Sequence, residues 1–122
     1  MIVIRLPIPP SVNALYANRK DGRGKGRYKT KAYADWLNEA NSWLWPQYRK
    51  LDGLPVKGPC VVEIRLPAKM RGDASNRIKA AEDFLVSMGI TEDDRTNWKV
   101  SAERDPSLSN DDGFCVITVA SA

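Results

Sequence analysis

The chain contains no histidine, and that absence closes several chemistries before any motif is considered. Imidazole zinc sites, Ser-His and Cys-His nucleophile pairs and histidine general bases all need a residue this sequence does not have. Cysteine is scarce too. Cys60 and Cys115 are the only two, too few for an all-thiolate zinc site, and each sits in an apolar run (Cys60-Val61-Val62, Phe114-Cys115-Val116) that predicts a buried thiol. No apolar run approaches the roughly 18 residues of a membrane span, and residues 1–10 lack a basic n-region and a small-residue cleavage site. A cytoplasmic protein with no membrane partner is therefore expected. Internal repeats, heptads and long linkers are also missing, so the 122 residues, 43% hydrophobic and 28% charged, read as a single domain over 1–122.

Charge of one sign is not in large excess, since 19 basic against 15 acidic residues leave only +4. Its distribution carries more. Arg19, Lys20, Arg23, Lys25, Arg27, Lys29 and Lys31 fall between positions 19 and 31 with Asp21 as the only acid and Gly22, Gly24 and Gly26 interleaved. That run reads as a flexible cationic loop, either a solvated turn or a set of phosphate contacts that give affinity without base specificity. It is not a P-loop, which ends in Lys-Ser/Thr on a helix. Lys69 and Arg71 add cations just before Asp73.

Apolar periodicity organises the rest. Residues 1–8 read as a strand stopped by Pro9-Pro10, followed by a turn in which Ser11 and Asn13 can bond neighbouring amides. Thr30 is a plausible N-cap for a helix carrying Tyr33, Trp36, Leu37, Ala40, Trp43 and Leu44, ended by Pro46. Val61, Val62, Ile64 and Leu66 make a second strand closed by Pro67. Ser75 is predicted to cap a second helix with Ile78, Ala81, Phe84, Leu85 and Met88 as its apolar arc and Gly89 at C′. Residues 98–103 and 114–119 read as two further strands joined by a polar loop, hence as a hairpin. The predicted class is α+β: two helices packed on one mixed four-stranded sheet, in the order strand, helix, strand, helix, strand, strand.

On the second helix, at about 100° per residue from Asn76, Lys79 falls near 300°, Asp83 near 340° and Asp73, if helical, near 60°. The apolar arc occupies about 80° to 200°, so this polar stripe faces away from the core. Lys79 and Asp83 are an i,i+4 pair and such stripes are often only solvated. Past Gly89 come Glu92, Asp93 and Asp94, which meet Asp73 only if the fold returns the loop to the helix start. Converging carboxylates suit Mg²⁺, a cation that takes oxygen ligands and neutralises phosphate.

Three segments resemble the RusA family of Holliday junction resolvases. They are Leu6, Pro7, Pro9, Pro10, Ser11 and Asn13 with Tyr16 and the basic loop up to Tyr28 and Thr30; Asp73, Ser75, Asn76, Lys79, Ala80, Asp83 and Leu85; and Gly89, Ile90, Asp93 and Asp94. The resemblance implies a homodimeric, Mg²⁺-dependent (Mn²⁺ also possible) endonuclease of bacterial or phage origin that cuts four-way DNA junctions by paired nicks. It implies catalytic roles for Asp73, Lys79 and Asp94, a match of Asn76 to the motif asparagine, and DNA contacts from Asn13, the basic loop, Lys69, Arg71 and Asn76. Ser75 departs from the family, whose well-known members carry a second aspartate there. Asp83 is then expected to complete a metal set with Asp73 and Asp94, or else activity is weakened, and Asp93 is the other candidate. Two further readings are a non-catalytic protein that binds branched DNA and a small interaction module whose charges are only surface.

Overall fold

Alternating apolar residues begin the chain as strand β1 (Ile2–Pro7), with Ile2, Ile4 and Leu6 buried and Val3 and Arg5 facing out. The computed structural model describes residues 1–18, 26–109, 111 and 113–122. After a 3-10 turn at Val12–Ala14 come two short strands, β2 (Tyr16–Asn18) and β3 (Arg27–Lys29), paired antiparallel as a two-stranded sheet of their own. Helix α1 (Lys31–Tyr48) starts at the predicted cap, Thr30 Oγ1 accepting from Tyr33 N at 3.2 Å. Strand β4 (Cys60–Pro67), helix α2 (Ile78–Ser87), strand β5 (Asn97–Asp105) and strand β6 (Phe114–Ser121) complete the chain.

Two helices pack with a mixed four-stranded sheet of order β1-β6-β4-β5, the predicted α+β class. The predicted pairing of the last two strands is wrong. β6 lies between β1 and β4, antiparallel to both, and β5 lies outside β4, parallel to it. Burial explains the choice. Cys115, Val116, Ile117 and Val119 of β6 are all buried, as a central strand requires, whereas β5 carries exposed Trp98, Lys99, Glu103 and Arg104 and suits an edge. β4, α2 and β5 thus form a parallel crossover unit, which aims the ends of α2 at the β4 and β5 termini.

The buried face of the sheet, centred on Ile4, Leu6, Val62, Ile64 and Ile117, meets Trp36, Ala40 and Leu44 of α1 and Ala81, Phe84 and Leu85 of α2. The other edge of β1 is closed by α1: the Gln47 amide donates to Arg5 O at 2.7 Å and accepts from Arg5 N at 2.8 Å, and Trp36 Nε1 donates to Pro7 O at 3.0 Å. Gln47 is available because α1 runs through Pro46 to Tyr48 instead of stopping there. Proline costs the bond to the Ser42 carbonyl, but both residues face solvent, where water satisfies that group.

The start of α2 also differs from expectation. Ser75 is inside a 3-10 turn, Ala74–Arg77, with Asp73 at the N-cap position, and no side chain caps the turn or the helix. Its end is as read: Gly89 takes φ +72°, its N–H bonds Val86 O at 3.1 Å, and Ile90 N bonds Leu85 O at 2.9 Å, the paired bonds of a Schellman stop. No helix among the described residues is long and apolar enough to cross a membrane.

Both thiols are free and buried, as predicted. Burial pushes Cys115 up to about 12 and raises Cys60, the latter with help from the Glu92 charge. At pH 8 both should resist a water-soluble disulfide reagent until the chain opens, so the labelling rate should track urea concentration. Prompt labelling of either in buffer would refute the burial.

Candidate active site

The Schellman stop turns the chain back beside α2, and a 3-10 turn at Asp94–Thr96 seats Asp94 there. Asp93 caps that turn, accepting from Arg95 N at 3.0 Å, and its carboxylate pairs with the Arg95 guanidinium at 2.8 Å. Those Arg95 bonds hold Asp93 well below the usual carboxylate range. Asp93 is therefore occupied in building the turn. Glu92 points elsewhere, accepting from Gly58 N at 3.2 Å.

Lys79 Nζ donates to Asp83 Oδ1 at 3.1 Å, the i,i+4 pair that the helical spacing predicts. That hydrogen bond raises the Lys79 pKa, burial opposes it, and the charges of Asp83, Asp94 and Glu82 add to the rise. Lys79 thus sits in the field of three carboxylates. Glu82 was no candidate from sequence. It is half-buried, accepts from Asn97 Nδ2 at 2.9 Å, and is raised first by burial and then by Asp94 and Asp83, with Asn97 and Lys79 pulling the other way. At about 240° on the helix it lies between the apolar arc and Lys79, so position alone marked it for neither face. Its signal was the flank of the stripe.

No protein-family model matches the chain, and no curated protein matches it.

Asp73 stands at the head of the 3-10 turn that leads into α2. Its backbone carbonyl accepts from Asn76 N at 3.2 Å, while its exposed carboxylate makes no capping bond. The structure thus gathers Lys79, Asp83, Asp94 and Glu82 into one electrostatic neighbourhood and leaves Asp73 at the start of the same helix without a side-chain tie to them. Among the described residues no three carboxylate or thiol side chains converge as a metal-holding group. Ser75 is exposed on the turn and Asn76 is half-buried.

Of the basic run, Arg27, Lys29 and Lys31 are described. Arg27 lies over the Tyr16 ring at 5.0 Å and Lys29 Nζ is 5.8 Å from the Tyr33 ring centre. Tyr16 and Tyr33 meet edge to face at 5.8 Å. Burial pushes Tyr33 up to about 12, with Tyr16 and then Asp83 adding to it. Arg19, Lys20, Arg23 and Lys25 lie outside the described residues. Lys69 and Arg71 are exposed in the segment before Asp73. In the Pro-rich turn Ser11 bonds a neighbouring amide as expected, accepting from Asn13 N at 3.3 Å, whereas the Asn13 side chain is exposed and caps no amide among the described residues, and Thr30 Oγ1 donates to Ala14 O at 2.5 Å.

Proposed function

We propose that this chain is a Mg²⁺-dependent endodeoxyribonuclease that recognises DNA structure and resolves four-way junctions by paired symmetric nicks, as its resemblance to the RusA resolvases implies. One observation carries the reading: Lys79, paired with Asp83 at 3.1 Å, lies in the field of Asp94 and Glu82, while Arg27 and Lys29 sit over the Tyr16 and Tyr33 rings, the second of which also feels Asp83. Carboxylates and cations mixed on one face suit a phosphodiester held near a divalent ion.

The donor set fits such an ion in kind, being all oxygen; Glu82, raised first by burial and then by Asp94 and Asp83, adds a further carboxylate to that neighbourhood. Asp73, Asp94 and Asp83 would hold the ion, with Glu82 at their side. When bound, Mg²⁺ (or Mn²⁺) supplies neutralisation of phosphate charge and a lowered pKa for water. The reaction adds a water oxygen to phosphorus, breaks the bond to the leaving sugar oxygen and leaves the proton with that oxygen. Lys79 offsets the charge that builds on the pentacoordinate phosphate. Arg27, Lys29, Lys69, Arg71, Asn13 and Asn76 position the backbone of the DNA, together with Arg19, Lys20, Arg23 and Lys25. A homodimer would set two such sites on opposite strands. Trp45 and Trp98, 61% and 75% exposed, offer the kind of apolar surface an interface uses, while Trp36 is buried and Trp43 half-buried. A cytoplasmic location and a bacterial or phage origin belong to the same proposal.

The rival is a protein that binds branched DNA without cutting it. Asp83 held by Lys79, together with Ser75 in place of a carboxylate, favours it. Incubation with a synthetic four-way junction in Mg²⁺ and in EDTA decides between them. Paired symmetric nicks only in Mg²⁺ support the nuclease; binding with no nick in Mg²⁺ or Mn²⁺ supports the rival.

Both readings put the hairpin on phosphate. Replacing Arg27 and Lys29 by Ala should weaken junction binding and lower the slope of log affinity against log salt by about 2, near 0.9 per lost phosphate contact. An unchanged slope would take the hairpin off the DNA.

A further inference from the structure

The segment that delivers Asp73 has no regular structure of its own, because β4 ends at Pro67 and the 3-10 turn begins at Ala74. Two arginines hold it. Arg104 on β5 donates through Nη1 to Ala68 O at 3.1 Å and to Met70 O, and through Nη2 to Gly72 O at 2.5 Å. Arg77 on the 3-10 turn donates through Nη2 to Arg71 O at 3.3 Å and through Nη1 to Pro9 O at 2.9 Å. Four of the five carbonyls from Ala68 to Gly72 therefore end on a guanidinium. Register puts Arg104 there: it pairs with Leu66 in the parallel β4–β5 ladder, two residues ahead of Ala68. Gly72, at φ +83°, takes the left-handed turn that leads into Asp73.

Asp73 itself makes no capping bond, so its place is set by the backbone before it. We propose that Arg104 is a positioning residue for Asp73, acting through the carbonyl of Gly72 next to it, with Arg77 fixing the loop from the other side; this rests on the nuclease reading and names what holds its first carboxylate. An unheld loop would have to order at the moment the cation binds, and that lost entropy would weaken binding. Lysine cannot substitute, since a single ammonium nitrogen cannot span three carbonyls that the two-pronged guanidinium reaches.

The test uses the full chain as wild type, Arg104→Gln, Arg104→Lys and, as control, Arg65→Gln, whose arginine pairs with Asp105 at 3.5 Å and does not touch the loop. The first readout is paramagnetic broadening of backbone amides by substoichiometric Mn²⁺. Wild type and the control should broaden at Asp73, Asp83 and Asp94; both Arg104 variants should keep the last two and lose Asp73. The second is the Mg²⁺ concentration that half-saturates junction cleavage, which should rise about tenfold or more in both variants, as for lost supporting contacts at metal sites, with the rate at saturating Mg²⁺ largely restored. A loss of rate that saturating Mg²⁺ does not restore, accompanied by a lower Tm, would mean a general structural role and overturn the proposal. So would wild-type broadening at Asp73 in either Arg104 variant, or no broadening there in wild type. The Mn²⁺ pattern in a chain that cuts no junction would support the positioning role and remove the nuclease reading instead.

Discussion

Asp73→Asn should abolish junction cleavage, by about 10²-fold or more, and leave junction affinity and melting temperature near wild type. The size follows from electrostatics: one negative charge leaves the set expected to hold the cation while shape hardly changes, and loss of a single preorganised polar group at a reacting centre costs on the order of 10²–10³ in rate. The sparing of stability follows from the geometry. Asp73 is exposed, caps nothing through its side chain, and contributes its backbone carbonyl to Asn76, a bond that asparagine keeps. Asn is also a good N-cap residue, so the 3-10 turn has no reason to move. Gel analysis of nicked junction beside a binding titration and a thermal melt measures all three. Retained nicking would remove Asp73 from the reaction, whereas a lowered Tm with weaker binding would recast it as part of the fold. Asp83→Asn is a useful contrast, because it also removes the carboxylate charge that Lys79 pairs with at 3.1 Å.

Parts of this arrangement were legible in sequence for physical reasons. Tyr33, Trp36, Ala40 and Leu44 repeat at helical spacing and all four are buried; Gly89 sits where a helix needs a left-handed residue and takes φ +72°. The i,i+4 spacing of Lys79 and Asp83 guaranteed their meeting on any helix. Strand order was not local in this way. A polar stretch between β5 and β6 looks like a hairpin connection, but which strands pair depends on which must be covered on both sides, and buried Val116 beside buried Cys115 and Ile117 gives β6 the central place. The β2–β3 hairpin was hidden because three-residue strands are too short to show alternation, and the cationic run read only as a loop. Glu82 and Arg104 were missed for a related reason. Their importance lies in partners distant along the chain, Asn97 for one and the carbonyls of the 68–72 segment for the other.

Phe84→Ala should bring the largest loss of stability, about 3–5 kcal/mol, the range for emptying a buried aromatic site. Phe84 is 2% exposed and meets the Trp36 ring edge to face at 5.5 Å. Trp36 in turn stacks near Tyr33 at 6.4 Å and donates to Pro7 O at 3.0 Å, and Tyr33 touches Tyr16. One line of rings therefore joins α2 through α1 to β1 and the basic hairpin. No small shift of the helices can refill a hole at its end, because Trp36 is pinned by its indole bond. For a domain whose total stability is of order 5–15 kcal/mol, such a loss approaches unfolding at 37 °C. Urea denaturation should show the midpoint falling with the slope unchanged, while Phe84→Leu, closer in volume, should cost under about 1.5 kcal/mol. A Phe84→Ala loss no larger than the Leu loss would mean that the rings do not carry the packing between α1 and α2. The two substitutions also separate chemistry from scaffold: below its melting temperature Phe84→Ala should keep the Mg²⁺ dependence of whatever cleavage remains, because Lys79 and Asp83 project from α2 away from its buried face and Asp94 lies on the 3-10 turn beyond it, whereas Asp73→Asn should remove cleavage from a protein that melts where wild type does.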